Sequence, residues 1–257
     1  MQKLIIPNMK IKILSIFLVI FLGSFQNTTS TKVTINSLNS STFNLIVVDV
    51  DGKEYKTIII GNQEWMAEDL EVKHYNNGDP IDFIKCDRNF DKQKSENWNS
   101  TKEGAYTIAY KPSRDCFVKN GRNSLINYNW YAVNDDRGLA PKGWHIPSKQ
   151  EWEILINYLG GINNAGIMMK SISGWDEEYA SNGNNISGFN ALPTGMRTET
   201  GFHMGYSQYA WYWTSDLYKE YSANYLCLGW LDDNNESGIV IGAHFKQEGM
   251  SIRCVKD

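Results

Sequence analysis

From Trp175 to the C-terminus no stretch of this chain carries a helical period of useful length. Short apolar and aromatic runs follow one another instead, parted by Gly and Asn: Phe189 to Leu192, Met196-Arg197, Tyr209 to Ser215, Ala223 to Trp230, Gly238 to Phe245 and Gly249 to Val255. Runs of this length and composition between turn formers read as β-strands. The start of the fold reads the same way. Leu45 to Val50 is rich in β-branched residues, Asp51-Gly52 is a turn, and Tyr55 to Ile60 is the returning strand. Gly61-Asn62 then turns the chain into Gln63-Glu64-Trp65-Met66, which predicts a meander.

Between these strand regions lies one sharp helix signal. Ser148 followed by Glu151 at the third helical position is a capping box. Trp152, Leu155, Ile156 and Leu159 then recur at i, i+3, i+4 and i+7, which makes one apolar face. Gly160-Gly161 ends the helix, because glycine enters the left-handed region without a Cβ clash. A second short helix is expected around Asn164 to Ser171, with Ala165, Met168 and Met169 inward. The order is strands, a long polar stretch, one or two helices, then many short strands. It predicts an α+β fold, not an alternating βαβ one.

The N-terminus has the form of an export signal. Lys3, Lys10 and Lys12 precede or enter an apolar run from Ile11 to Leu22, and Gly23-Ser24 supplies small residues before a polar stretch. The run is too short for a comfortable membrane span. Residues 1–24 are therefore expected to be a signal peptide, with Met9 as an alternative start and an uncleaved anchor or a buried N-terminal helix as the alternative roles. Residues 25–44 read as a polar tether or an irregular first strand, and residues 45–257 as a single domain. No cysteine follows the apolar run, which argues against a lipoprotein. The expected location is extracytoplasmic: secreted, periplasmic or cell-surface. Loss of the three leader lysines takes the net charge from -4 to -7, a balance that repels a phosphate backbone and disfavours nucleic acid as a partner. The four cysteines, Cys86, Cys116, Cys227 and Cys254, permit two disulfides in an oxidising compartment. Three pairings are possible, and Cys86–Cys116 with Cys227–Cys254 is the most local. A bridge of that kind would account for the long polar loop over residues 82–122.

The ordered blocks of the chain resemble a known bacterial family. They are Val48-Asp49-Val50-Asp51-Gly52-Lys53-Glu54-Tyr55, Ile60-Gly61-Asn62-Gln63-Glu64-Trp65-Met66-Ala67-Glu68-Asp69-Leu70, Tyr128-Asn129-Trp130-Tyr131-Ala132-Val133 and Pro141-Lys142-Gly143-Trp144-His145-Ile146-Pro147-Ser148. Glu151-Trp152, Gly160-Gly161, Ala165-Gly166, Gly188-Phe189-Asn190-Ala191-Leu192-Pro193, Gly195-Met196-Arg197, Trp213-Thr214-Ser215 and Ser251-Ile252-Arg253-Cys254-Val255 follow. Together they are similar to the Fibrobacter succinogenes major paralogous domain family over about residues 46–256. The resemblance implies an exported domain with a mixed, C-type lectin-like fold and no established reaction. It also implies a distant likeness to formylglycine-generating enzymes, whose cysteine-based active site has no matching motif here.

The candidate functional residues concentrate in residues 206–236. Exposed rings beside amides suit sugars, which present apolar C–H faces and hydroxyls, and they suit protein contacts as well. Trp211 and Trp213 share one face of a strand and Tyr212 takes the other. Trp213 is expected inside, and Trp211, Tyr212, Asp233 and Asn234 are the candidate ligand contacts. Asp232, Asn234 and Glu236 offer oxygens to a hard cation, so calcium is the candidate cofactor, although the glycine and distal glutamate of an EF-hand are absent. Ser148, Glu151, Trp152, Trp213, Arg197 and Arg253 are expected to be structural, the arginines by pairing with an acid such as Glu68 or Asp69. His145, beside the helix cap, is also expected to be structural. His74, His203 and His244 are scattered, and Ser148 lies in no nucleophile elbow. The chain is therefore expected to be a non-enzymatic binding module for glycan or protein. A structural or assembly domain of the cell envelope is the first alternative, and an enzyme distantly like the formylglycine-generating enzymes is the second. Oligomeric state is left open.

Overall fold

The β-branched runs at the start of the fold pair as their turns dictate. In a computed structural model, which describes residues 45–85, 97–108, 125–176, 181–229 and 238–257, β1 (Ile46–Val48) pairs antiparallel with β2 (Glu54–Ile60). β2 in turn pairs antiparallel with β3 (Gln63–Met66). The Asp49 carboxylate shapes the first turn, accepting the Lys53 N–H at 2.9 Å and the Tyr55 hydroxyl at 2.6 Å. Gly61, at φ +63°, opens the two-residue turn between β2 and β3, where a side chain would be strained. The predicted leader, the polar segment over residues 25–44 and most of the polar loop lie outside the described residues.

After β3 come β4 (Asp82–Phe83), β5 (Ala105–Ile108), β6 (Ile126–Tyr128), helix α1 (Trp130–Val133) and β7 (Trp144–His145). Helices α2 (Lys149–Tyr158) and α3 (Ala165–Met169) follow, then β8 (Met196–Arg197) and β9 (His203–Met204). The chain finishes with β10 (Ala210–Lys219), β11 (Ser222–Leu228), β12 (Ile239–Phe245) and β13 (Val255–Lys256). One sheet has the order β1-β2-β3-β13-β7, so the last strand inserts between β3 and β7. Two three-stranded sheets have the orders β10-β11-β12 and β4-β5-β6, and β8 pairs with β9.

The expected α+β, C-type lectin-like class gives way to a mainly β molecule. Among the described residues strands reach 10 residues in β10 and 7 in each of β2, β11 and β12, whereas α1 and α3 have 4 and 5 residues and only α2 reaches 10. The reason is local. α2 alone has a full set of signals at both ends. Ser148 and Glu151 form both halves of the capping box, and Trp152, Leu155, Ile156 and Leu159 are all buried. At its other end Gly161 N–H bonds Ile156 C=O at 2.9 Å and Gly160 N–H bonds Asn157 C=O at 3.1 Å, the paired bonds of a Schellman motif. Ala165 and Met169 of α3 are buried as the sequence predicts, but no side chain caps its start.

Three apolar clusters fill the interior. Trp65, Trp152, Phe189 and Tyr212 meet in the first, with the Trp65 and Trp152 rings 4.7 Å apart. The second gathers Tyr55, Tyr75, Tyr128, Leu70 and Ile252, and the third Trp130, Trp211, Trp213 and Met250. Residues Gly249 to Ser251 stitch the sheets together through bridges Arg197–Gly249, Tyr128–Met250 and Tyr212–Ser251.

Candidate functional site

The alternation of Trp211, Tyr212 and Trp213 is as the strand period requires, yet both faces of β10 are covered. Trp211 and Trp213 enter the third cluster and Tyr212 enters the first. Trp211 is 6% exposed and Tyr212 0%, so neither offers a ring to a ligand. This corrects their reading as ligand contacts: a platform needs an open face, and β10 is sandwiched between two cores. Trp213 is buried too, its indole N–H donating to the Tyr128 carbonyl at 2.8 Å. Asp232, Asp233, Asn234 and Glu236 lie outside the described residues, as do Cys86 and Cys116.

The expected Cys227–Cys254 bridge is likewise corrected, because both thiols are free and buried. They belong to different clusters, Cys227 beside Trp211 and Met250 and Cys254 beside Tyr128 and Ile252. Closeness in sequence did not bring them together, since Cys227 lies in β11 and Cys254 immediately precedes β13, and these strands sit in separate sheets. Burial pushes both thiols well above the ordinary range, which keeps them protonated and unreactive.

The two arginines order the interior. Arg253 donates from Nε to Asp69 at 2.9 Å and from Nη1 to the Met66 carbonyl at 3.0 Å, with its guanidinium 4.2 Å from the Phe189 ring centroid. Arg197 donates from Nη1 to the Ile84 carbonyl at 2.6 Å and from Nε to Gly201 at 3.2 Å, and stacks 4.2 Å over Trp98. A small polar cleft of about 70 Å³ beside Lys53, Glu68, Asp69, Glu71 and Arg253 belongs to the first of these networks. His145 is pinned between Glu151 and Asp257, each at 2.7 Å. Burial alone would lower its pKa, but the two carboxylates outweigh burial and raise it.

The open aromatic surface lies farther along the same hairpin. β10 runs past the core after register shifts between Trp213 and Lys219, so Leu217 and Tyr218 stand exposed. Tyr218 is 56% exposed, Tyr221 in the turn 65%, and Phe245 at the end of β12 53%. Beside Tyr218 a shallow groove of about 350 Å³ is lined by Lys149, Asn224, Ile241, Gly242 and Ala243. A second depression, of about 290 Å³, lies among Tyr221, Phe245, Asn99, Gln247 and Glu199. The floor is rigid, since β11 and β12 pair without interruption from Ser222↔Phe245 to Leu228↔Ile239. Its wall is tied to α2, because the Lys149 N–H donates to the Asp216 carboxylate.

Behind the second depression Glu248 is buried, with its carboxylate 2.7 Å from His244 Nδ1. Burial raises the Glu248 pKa and, with neighbouring Glu199, outweighs the lowering by His244. Burial and Arg197 drive His203 the other way, down to about 3, so that ring is neutral. No group of three or more potential metal ligands occurs among the described residues. Within residues 206–236 the exposed rings are those of Tyr218 and Tyr221, not those of Trp211 and Tyr212. Tyr218-Lys219-Glu220-Tyr221 was the available signal, because charged residues between aromatics mark a hairpin end that cannot enter a core. Asn99, Lys149, Phe245 and Gln247 carried no such signal, as they come from other parts of the chain.

Residues 58–256 match the family model of the Fibrobacter succinogenes major domain. No curated protein and no solved structure matches the chain.

Proposed function

The chain belongs to the Fibrobacter succinogenes major domain family, a bacterial family of unknown function, and we propose that it is an extracytoplasmic, non-enzymatic module that binds carbohydrate. One observation carries the reading: Tyr218, Tyr221 and Phe245 are exposed around side-chain amides on a rigid sheet. Apolar sugar faces stack on such rings, and Asn224, Gln247 and Asn99 supply donors and acceptors for hydroxyls. The surface is open and shallow, which suits a chain laid across it rather than a small molecule enclosed by it. Export rests on the lysine-flanked apolar N-terminus, and among the described residues no helix is long and apolar enough to cross a membrane.

The test is a glycan array probed with the exported protein, with and without calcium, beside Tyr218→Ala and Phe245→Ala variants of confirmed melting temperature. Each truncation is expected to weaken binding by about 1 kcal/mol, roughly fivefold in Kd. Calcium dependence would bring Asp232, Asn234 and Glu236 into the site. An unchanged profile in both variants moves the site elsewhere. Silence of the parent protein across the array favours a protein ligand or an assembly role.

A further inference from the structure

Sheet edges are templates for strand addition, and natural proteins guard them by brevity, charge, proline, bulges or cover. Among the described residues most edges here are guarded. β4 and β7 have 2 residues each, and β6 has 3 and is bridged to Met250. β1 has 3 and lies beside Glu54 and Lys56. The outer side of β10 is closed by bridges from Gly195 and Ser251. β12 differs. It has 7 residues in unbroken register with β11. Ile239-Val240-Ile241-Gly242-Ala243-His244-Phe245 contains no Lys, Arg, Asp, Glu or Pro. No backbone bond or isolated bridge reaches Val240 to His244 on the side away from β11 among the described residues.

We propose that this edge pairs with the β12 edge of a second copy of the chain, antiparallel about Gly242. The strand complements itself in that register. Ile241 meets Ala243 of the second copy, Val240 meets His244, and Gly242 meets its own equivalent, the isologous contact that twofold symmetry requires. Charge favours a second copy at this place. The chain is net negative, while the strip from Val240 to His244 carries no Lys, Arg, Asp or Glu to set opposite its own equivalent. His244, the one titratable side chain of the strip, already faces Glu248 at 2.7 Å.

Edge pairing over Val240 to His244 buries far less than the roughly 1,200 Å² at which stable interfaces begin. The dimer is accordingly of the weak, transient class. It joins the two sheets into one and sets the groove floors of Ile241, Gly242 and Ala243 side by side across the axis. A repeating ligand that spans both grooves would gain avidity without any new contact. The dimer itself does not depend on what the groove binds, so its test is independent of the glycan array.

Sedimentation of the exported protein over increasing concentration should show a monomer–dimer equilibrium. Ala243→Lys, which sets lysines close across the axis, should leave a monomer with an unchanged melt. If that variant does not fold, the double variant Ile241→Cys with Ala243→Cys decides. Residues i and i+2 of one strand are too far apart to bridge each other, whereas cross-strand partners are within disulfide reach. Mild oxidation should therefore give a covalent dimer in excess of that from the parent chain. A protein that stays monomeric throughout, a dimer that survives Ala243→Lys, or a double variant that does not cross-link above the parent overturns the proposal.

Discussion

Arg253 is 0% exposed, and so depends wholly on its partners. Its guanidinium cannot be neutralised, and removing Asp69 would strand the charge in the interior. Asp69→Ala is therefore expected to cost about 3–5 kcal/mol, read as a shift of the urea midpoint at constant slope. Glu68, which the sequence placed level with Asp69 as a partner, instead accepts the Lys56 N–H at 3.0 Å on the surface. Its replacement by Ala should move the midpoint by less than about 1 kcal/mol. The sequence could name an acid pair near residue 68 but could not choose the member. Glu68 and Asp69 follow the end of β3 at a bend, and only packing says which of the two side chains turns to the core.

At the scale of one element, α2 stands or falls by its start. Ser148 Oγ donates to Glu151 Oε2 at 2.7 Å, and the Ser148 N–H donates to the same oxygen at 2.8 Å. Ser148→Ala should cost about 1 kcal/mol, measured by thermal or chemical denaturation. His145 adds a pH dependence to this cap. Its folded pKa lies above the ordinary 6.5, so its contribution is complete below that value and is lost as pH rises through the folded pKa. Burial would raise the Glu151 pKa, but the Ser148 donors and His145 outweigh burial and lower it below 4.5. The Glu151 contribution is therefore present above 4.5 and fades as pH falls through its depressed pKa. Both are in force between those two values. His145→Asn should thus destabilise more at about pH 5.5 than at about pH 8.5. The side chains are 40% and 27% exposed, so the difference stays under about 1 kcal/mol. This helix was legible because its cap, face and terminator all lie within fifteen residues. The link to Asp257 was not, since it joins the helix to the far end of the chain.

At the scale of the whole molecule the cysteines give the clearest test. Cys227 and Cys254 should resist alkylation in the native protein and react fully once it unfolds, as counted by mass spectrometry. A native bridge between them would instead leave neither thiol to react without reduction. The fold class was misjudged for a related reason. Local signals for a second helix were real, but α3 ends after 5 residues, and the tertiary structure spends the remaining chain on sheets. What the sequence by itself determined is what neighbours along the chain decide: the β1–β3 meander, the bounds of α2, the alternation along β10 and the membership of the family. The tertiary structure alone decided which alternate face meets water, which acid meets Arg253, that Cys227 and Cys254 part company, and that Asn99, Lys149, Phe245 and Gln247 gather around the hairpin end. The physical reason is that a strand's period states that two faces differ without stating which is buried, and burial depends on surfaces brought from distant parts of the chain.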